Sequence, residues 1–77
     1  MDESLKRAIK AASVAAVARA CQVTPQAVSQ WRVAPANQVL AVSRAVNFGV
    51  TPHELRPDLY PHPDDGLPEE LRGRATA

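Results

Sequence analysis

The sequence has few of the residues that cross-link or anchor small proteins. Its single cysteine, Cys21, cannot form a disulfide within the chain, and its two distant histidines give no zinc-ligand spacing. Apolar runs are far shorter than the roughly 18 residues of a membrane span. The N-terminal Met-Asp-Glu-Ser lacks the basic-then-apolar order of a signal peptide. These absences predict a reduced, cytoplasmic protein without a metal site and without membrane association.

Large side chains are also scarce. Of the 77 residues only Trp31, Phe48 and Tyr60 are aromatic, whereas 14 alanines and 9 valines make up most of the apolar set. One domain fits this length, and a core of small side chains favours closely packed short helices. The sequence shows no catalytic carboxylate pair, no Ser/His/Asp order and no glycine-rich phosphate loop. We therefore expect neither an enzyme nor a cofactor or small-molecule site.

Negative charge is absent from most of the chain. Residues 4–53 contain six cations and no Asp or Glu, whereas residues 54–77 contain six anions and three cations, and the formal net charge is +1. The part with the helical pattern therefore carries a positive field that suits a polyanion, and the C-terminal part is mildly acidic.

Apolar spacing and capping residues predict four to five short helices. The first two predicted helices are each marked by a stripe of apolar residues at helical spacing. A third helix begins at Thr24-Pro25, where threonine is a good N-cap and proline fits the first helical position. A fourth helix begins at Pro35 and ends at residues 47–49, and Thr51 with Glu54 forms a capping box for a fifth. The two stripes are Leu5, Ala8, Ile9, Ala12 and Val14, Val17, Ala18, Cys21.

Prolines and acidic residues dominate the chain after residue 61. Such a composition predicts a disordered acidic tail over residues 62–77. The predicted fold class is all-α: a compact bundle of four to five short helices in residues 1–61 that contains a helix-turn-helix, followed by this Pro-rich tail. The helix-turn-helix follows from the few residues between the second and third helices, which force them to cross at a large angle.

The third predicted helix, residues 25–32, has a polar outer face. At 100° per residue Val28 and Trp31 point inward, whereas Gln26, Ser29 and Gln30 share the opposite arc. Glutamine can bond bidentately to adenine in the major groove, and serine can bond several base edges. Arg19 and Arg32 could bond phosphates on either side of this face. A solvated surface helix is the alternative interpretation of the same pattern.

Residues 14–33, VAAVARACQVTPQAVSQWRV, resemble the helix-turn-helix of the lambda Cro and repressor family. Together with VTPHELRPDLYP at residues 50–61, they are most similar to small phage Cro-like proteins and YdaS-like antitoxins. The resemblance covers roughly residues 5–61. Gln22 stands where the family usually has glycine in the turn, so this residue either adopts a positive φ at a steric cost or bends the turn differently.

The resemblance implies a sequence-specific DNA-binding transcriptional regulator that reads an operator in double-stranded DNA with the helix 25–32, as a homodimer. Carried over to this sequence, Gln26, Ser29 and Gln30 meet base edges, and Thr24 caps the helix and bonds a phosphate. Arg19 and Arg32 complete the expected DNA-binding set. A protein-interaction module on the same fold without DNA binding is the alternative, and a phage repressor cannot be told from an antitoxin at this point.

Overall fold

Four of the five α-helices begin at a polar side chain that accepts a backbone hydrogen bond. The computed structural model describes residues 1–72, which contain α-helices and 310 helices but no strand. Asp2, Ser13, Thr24 and Thr51 cap α1, α2, α3 and α5, and Thr51 forms the predicted capping box with Glu54. The α-helices are α1 (Glu3–Ala12), α2 (Val14–Cys21), α3 (Pro25–Ser29), α4 (Val39–Ala45) and α5 (Pro52–Leu55).

Short 310 helices at Ala36–Gln38 and Glu69–Leu71 complete the described secondary structure. The predicted all-α bundle of short helices is therefore confirmed. Residues 73–77, the end of the predicted tail, lie outside the described residues.

The core lies around α2, which packs against α1, α3 and α4. Its fully buried side chains are small or medium in size, and the larger ones among them are Leu5, Val17, Val28, Val39, Val42 and Leu55. The hydroxyl of Ser43, also fully buried, donates to the carbonyl of Val50 at 2.6 Å and so satisfies both groups. Trp31, which the helical wheel assigns to the core, is only partly buried and packs against the edge of this cluster.

The third helix is shorter than the predicted span 25–32. It ends at Ser29, with Gln30 at its C-cap, and the Trp31 amide bonds to the carbonyl of Val28 in a tightened last turn. Arg32 therefore lies in the loop after the helix. Within this loop Pro35 drives the preceding residue, Ala34, toward an extended conformation. The carbonyls of this loop are, in addition, bound by other segments.

A left-handed residue separates α2 from α3. Gln22 has φ 59° and ψ 43°, so of the two alternatives that the missing glycine left open it adopts the positive φ. This conformation lets the Val23 amide reach back to the carbonyl of Ala18 at 3.0 Å and closes the end of α2. The Cβ of glutamine is disfavoured there by about 1–2 kcal/mol.

The predicted tail has defined turns in its described part, residues 62–72. Leu67 is buried, with 8% of its surface exposed. The chain reaches this position through Gly66, which has φ +80° and approaches α5 so closely that an added β-carbon would lie 2.8 Å from Cγ of Pro52. Only glycine accepts both the left-handed conformation and this contact.

Replacing Gln22 with glycine is expected to raise the free energy of unfolding by about 0.5–1 kcal/mol, because the left-handed conformation then carries no steric cost. Thermal denaturation followed by circular dichroism measures this change. The matched control is Gln22→Ala, which removes the amide but keeps the β-carbon, and it should give no gain. An equal gain in both variants would assign the effect to the amide instead.

Leu67→Ala tests whether the C-terminal segment contributes to the domain. Burying a leucine side chain stabilises a fold by about 1.5–3 kcal/mol, so the variant should lose a large part of that amount. Leu59→Ala is the control, because Leu59 is 45% exposed and its truncation should change stability by less than about 0.5 kcal/mol. Equal melting temperatures for Leu67→Ala and the unmodified chain would show that the segment does not stabilise the domain.

Candidate nucleic-acid interface

The helices α2 and α3 form a helix-turn-helix. Three residues, 22–24, separate them, and Val28 on the inner face of α3 is fully buried against the core. Thr24 fixes the start of α3: its Oγ1 accepts a hydrogen bond from the Ala27 amide at 3.2 Å. Gln38 fixes the end of α2 by donating from its side-chain amide to the Cys21 carbonyl at 3.2 Å. The N-terminus of the short α3 is therefore fixed by its own cap and by the contact of Gln38 with the end of α2.

The outer face of α3 is polar, and its side chains make no hydrogen bonds within the described residues. Gln26, Ser29 and Gln30 are exposed, and within residues 1–72 none of their side chains makes a hydrogen bond. No Asp or Glu lies in α3. Three groups that donate and accept hydrogen bonds thus stand together on one short helix, as the sequence pattern predicts, although Gln30 lies at the C-cap.

Thr24 is exposed as well. Its hydroxyl oxygen is used as the cap of α3, which leaves the hydroxyl proton available for donation. A donor at the N-terminus of a helix lies in the positive end of the helix dipole, where an anion is favoured.

Five cations on the described surface have no carboxylate partner and no side-chain hydrogen bond within residues 1–72. Among them are both predicted phosphate contacts, Arg19 in the last turn of α2 and Arg32 in the loop after α3. The other three are Lys6, Lys10 and Arg44. By contrast, Arg7 is paired with Glu54 across α1 and α5. Burial alone would raise the pKa of Glu54. The hydrogen bond and charge of Arg7 and the hydrogen bonds of Thr51 outweigh burial and hold this pKa below its ordinary value.

The loop that carries Arg32 is held by two distant segments. The Asp2 amide donates to the carbonyl of Arg32 at 2.8 Å, and Nη1 of Arg56 donates to the carbonyl of Ala34 at 2.9 Å. Asp58 holds the Arg56 guanidinium through Nε and Nη2, at 3.0 and 2.8 Å. These hydrogen bonds, with the charges of Asp58 and Asp2, raise the pKa of Arg56.

Sequence reasoning missed Arg56. The spacing Arg56-Pro57-Asp58 indicates a local pair at most, and nothing in it points to Ala34, which lies 22 residues away. The Asp2 carboxylate caps α1, and the contact of its backbone amide with the loop after α3 has no signal in the sequence.

The described residues offer little for other chemistry. Cys21 is buried, and burial raises the pKa of its thiol, which makes it a core residue of low reactivity. Among residues 1–72 no group of three or more His, Cys, Asp or Glu side chains could hold a metal ion. In the same range no helix is both long enough and apolar enough to cross a bilayer.

A family described as bacterial toxin YdaS matches residues 5–64 of the chain. This match covers most of the chain and all five α-helices but the first two residues of α1. The protein belongs to this family and is thus a small toxin–antitoxin-associated protein. Searches of curated proteins and of solved structures gave no significant match.

Proposed function

We propose that this protein is a DNA-binding transcriptional regulator that reads the major groove with α3 and binds its operator as a dimer. The observation that carries the proposal is the outer face of α3, where Gln26, Ser29 and Gln30 are exposed and unpartnered above a fixed helix-turn-helix. In this arrangement the second helix enters the major groove and its side chains reach base edges.

Each predicted site residue has a role in this proposal. Gln26 and Gln30 offer the paired donor and acceptor that adenine requires, and Ser29 lies between them. Thr24, Arg19 and Arg32 border the reading face and contact the phosphates, which fixes the register of α3 in the groove. A helix of five residues gives few base contacts, so affinity depends strongly on these flanking phosphate contacts.

The family description is compatible with this role. A DNA-binding protein that silences a host gene is harmful when it is overproduced, so toxicity can arise from binding DNA without any enzymatic step. Whether the operator belongs to a phage or to a toxin–antitoxin locus depends on the bound sequence. Selection of bound duplexes from a random DNA pool identifies that sequence directly.

Replacing Gln26 or Gln30 with alanine should weaken binding to the selected site by about 1–3 kcal/mol, because each change removes a bidentate base contact. Binding to random duplex DNA should change little, since phosphate contacts remain. Titration of both DNAs with each variant provides the comparison. Equal losses on the two DNAs would contradict the assignment of these glutamines to base reading.

Salt dependence tests the class of function. With about three to six phosphates neutralised, the logarithm of affinity should fall against the logarithm of salt concentration with a slope of roughly −3 to −5. Arg32→Ala or Arg19→Ala should make this slope shallower by about one per subunit for every DNA sequence. Arg44→Ala is the matched control, since Arg44 is an exposed, unpaired arginine of α4 outside the helix-turn-helix.

A slope near zero, or no binding to any duplex from the pool at low salt, would remove the regulator proposal. The protein-interaction module would then be the better hypothesis, because a packed protein interface does not require a steep salt dependence.

A further inference from the structure

The side chain of Arg32 has no contact of its own that fixes its direction. It is exposed, and within residues 1–72 it makes no hydrogen bond and no ion pair. It also lies in the loop after α3, outside any helix. The place where its guanidinium can meet a phosphate therefore depends on how well the backbone of this loop is held.

The loop backbone is anchored on both sides of Val33. The Arg32 carbonyl accepts from the Asp2 amide at 2.8 Å, and the Ala34 carbonyl accepts from Nη1 of Arg56 at 2.9 Å. Ala34 itself is fully buried. The first anchor is a backbone contact that any residue except proline can make, whereas the second requires the side chain of Arg56. Arg56 is thus the anchor that depends on residue identity.

The guanidinium of Arg56 is oriented by a local turn. The Arg56 carbonyl accepts from the amides of Leu59 at 3.0 Å and Tyr60 at 2.8 Å, so the chain folds back beside the arginine. Asp58, inside this turn, accepts from Nε and Nη2, which leaves Nη1 for Ala34. A planar group with several donors can hold a carboxylate and a carbonyl together, and lysine lacks this geometry. We call these contacts of Arg56 with Asp58 and Ala34 the clamp.

Arg56 is not placed to bind a phosphate itself. Each of its three side-chain nitrogens already donates a hydrogen bond, its charge is paired with Asp58, and its side chain is 20% exposed. Arg32, in contrast, is exposed and has no carboxylate partner within residues 1–72. An effect of Arg56 on DNA binding would therefore act through the loop.

We propose that Arg56 is a positioning residue for DNA binding: the clamp orders the loop after α3 in the free protein and so directs Arg32 to a phosphate. A loop that is already ordered loses little conformational freedom when the ligand binds, so its contacts contribute more to affinity. The inference rests on the proposed function. It implies that loss of the clamp removes the contribution of Arg32 although Arg32 is still present.

The test removes the clamp at constant net charge. Arg56→Gln combined with Asp58→Asn, the clamp variant, is titrated with the selected and with random duplex DNA at several salt concentrations. It should bind both DNAs roughly tenfold more weakly, since a charge-assisted contact is lost. Its slope of log affinity against log salt should become shallower by about one per subunit, as for Arg32→Ala. Adding Arg32→Ala to the clamp variant should change the slope no further, because one phosphate contact cannot be lost twice.

Arg7→Gln combined with Glu54→Gln is the matched control. It removes the other ion pair of residues 1–72, again at constant net charge, and this pair joins α1 and α5 without touching the loop after α3. Glutamine at position 54 can still form the capping box with Thr51. The control should therefore keep the affinity and the salt slope of the unmodified chain.

Trp31 reports on the loop in the absence of DNA. It is the only tryptophan of the chain, it directly precedes Arg32, and it is partly buried. Its fluorescence should be quenched more readily by acrylamide in the clamp variant and to an unchanged extent in the control. Circular dichroism gives the folded fraction of each variant. Should the clamp variant be unfolded, Asp58→Asn alone, at a side chain that is 61% exposed, loosens the clamp and should change quenching and slope in the same direction by less.

Three results would overturn the positioning role alone. The first is an unchanged salt slope in the folded clamp variant, whether or not affinity falls, since the clamp would then only stabilise the fold. The second is a further loss of about one unit of slope when Arg32→Ala is added, because Arg56 would then contact phosphate itself. The third is unchanged quenching of Trp31. Absence of binding by the unmodified chain to any duplex would instead overturn the proposed function, and the positioning role with it.

Discussion

The arrangement of the proposed interface depends on the backbone of Gln22. A right-handed residue at this point would continue α2, and the chain would not turn back to bring Val28 into the core. The left-handed conformation ends α2 through the bond from the Val23 amide to the Ala18 carbonyl, and Thr24 then begins α3. Because α3 has only five residues, it has little intrinsic stability, and its position is set by these two ends and by burial of Val28.

The small side chains of the core limit the stability of this fold. A core of valines with few leucines permits short helices to pack closely, but it buries little apolar area for each residue. Such a domain is marginally stable, so single hydrogen bonds and caps form a large share of its total stability. The fully satisfied Ser43 hydroxyl and the capped starts of α1, α2, α3 and α5 are consistent with this requirement.

Local signals in the sequence predict most of the fold. The N-caps Thr24 and Thr51 and the place of Cys21 on the apolar stripe of α2 depend on neighbouring residues, and each is confirmed. The exposed face of α3 was also predicted, because it follows from helical periodicity alone. The predicted span of the third helix, residues 25–32, was wrong because it depends on distant partners. The helix ends before Arg32, where the amide of Asp2 and the guanidinium of Arg56 bind the loop carbonyls. Likewise, nothing near Leu67 in the sequence indicates that it packs on the domain.

The bond between the Asp2 amide and the Arg32 carbonyl has a practical consequence for handling the protein. Anything joined ahead of Met1, such as a purification tag or a fluorescent fusion partner, emerges within a few residues of the loop after α3. Its bulk and charge would lie beside the helix-turn-helix, where they could mask a ligand or mimic one. A fusion at the other end of the chain departs from a segment whose described part lies beside α5 and Leu40, and it is the better choice for labelling.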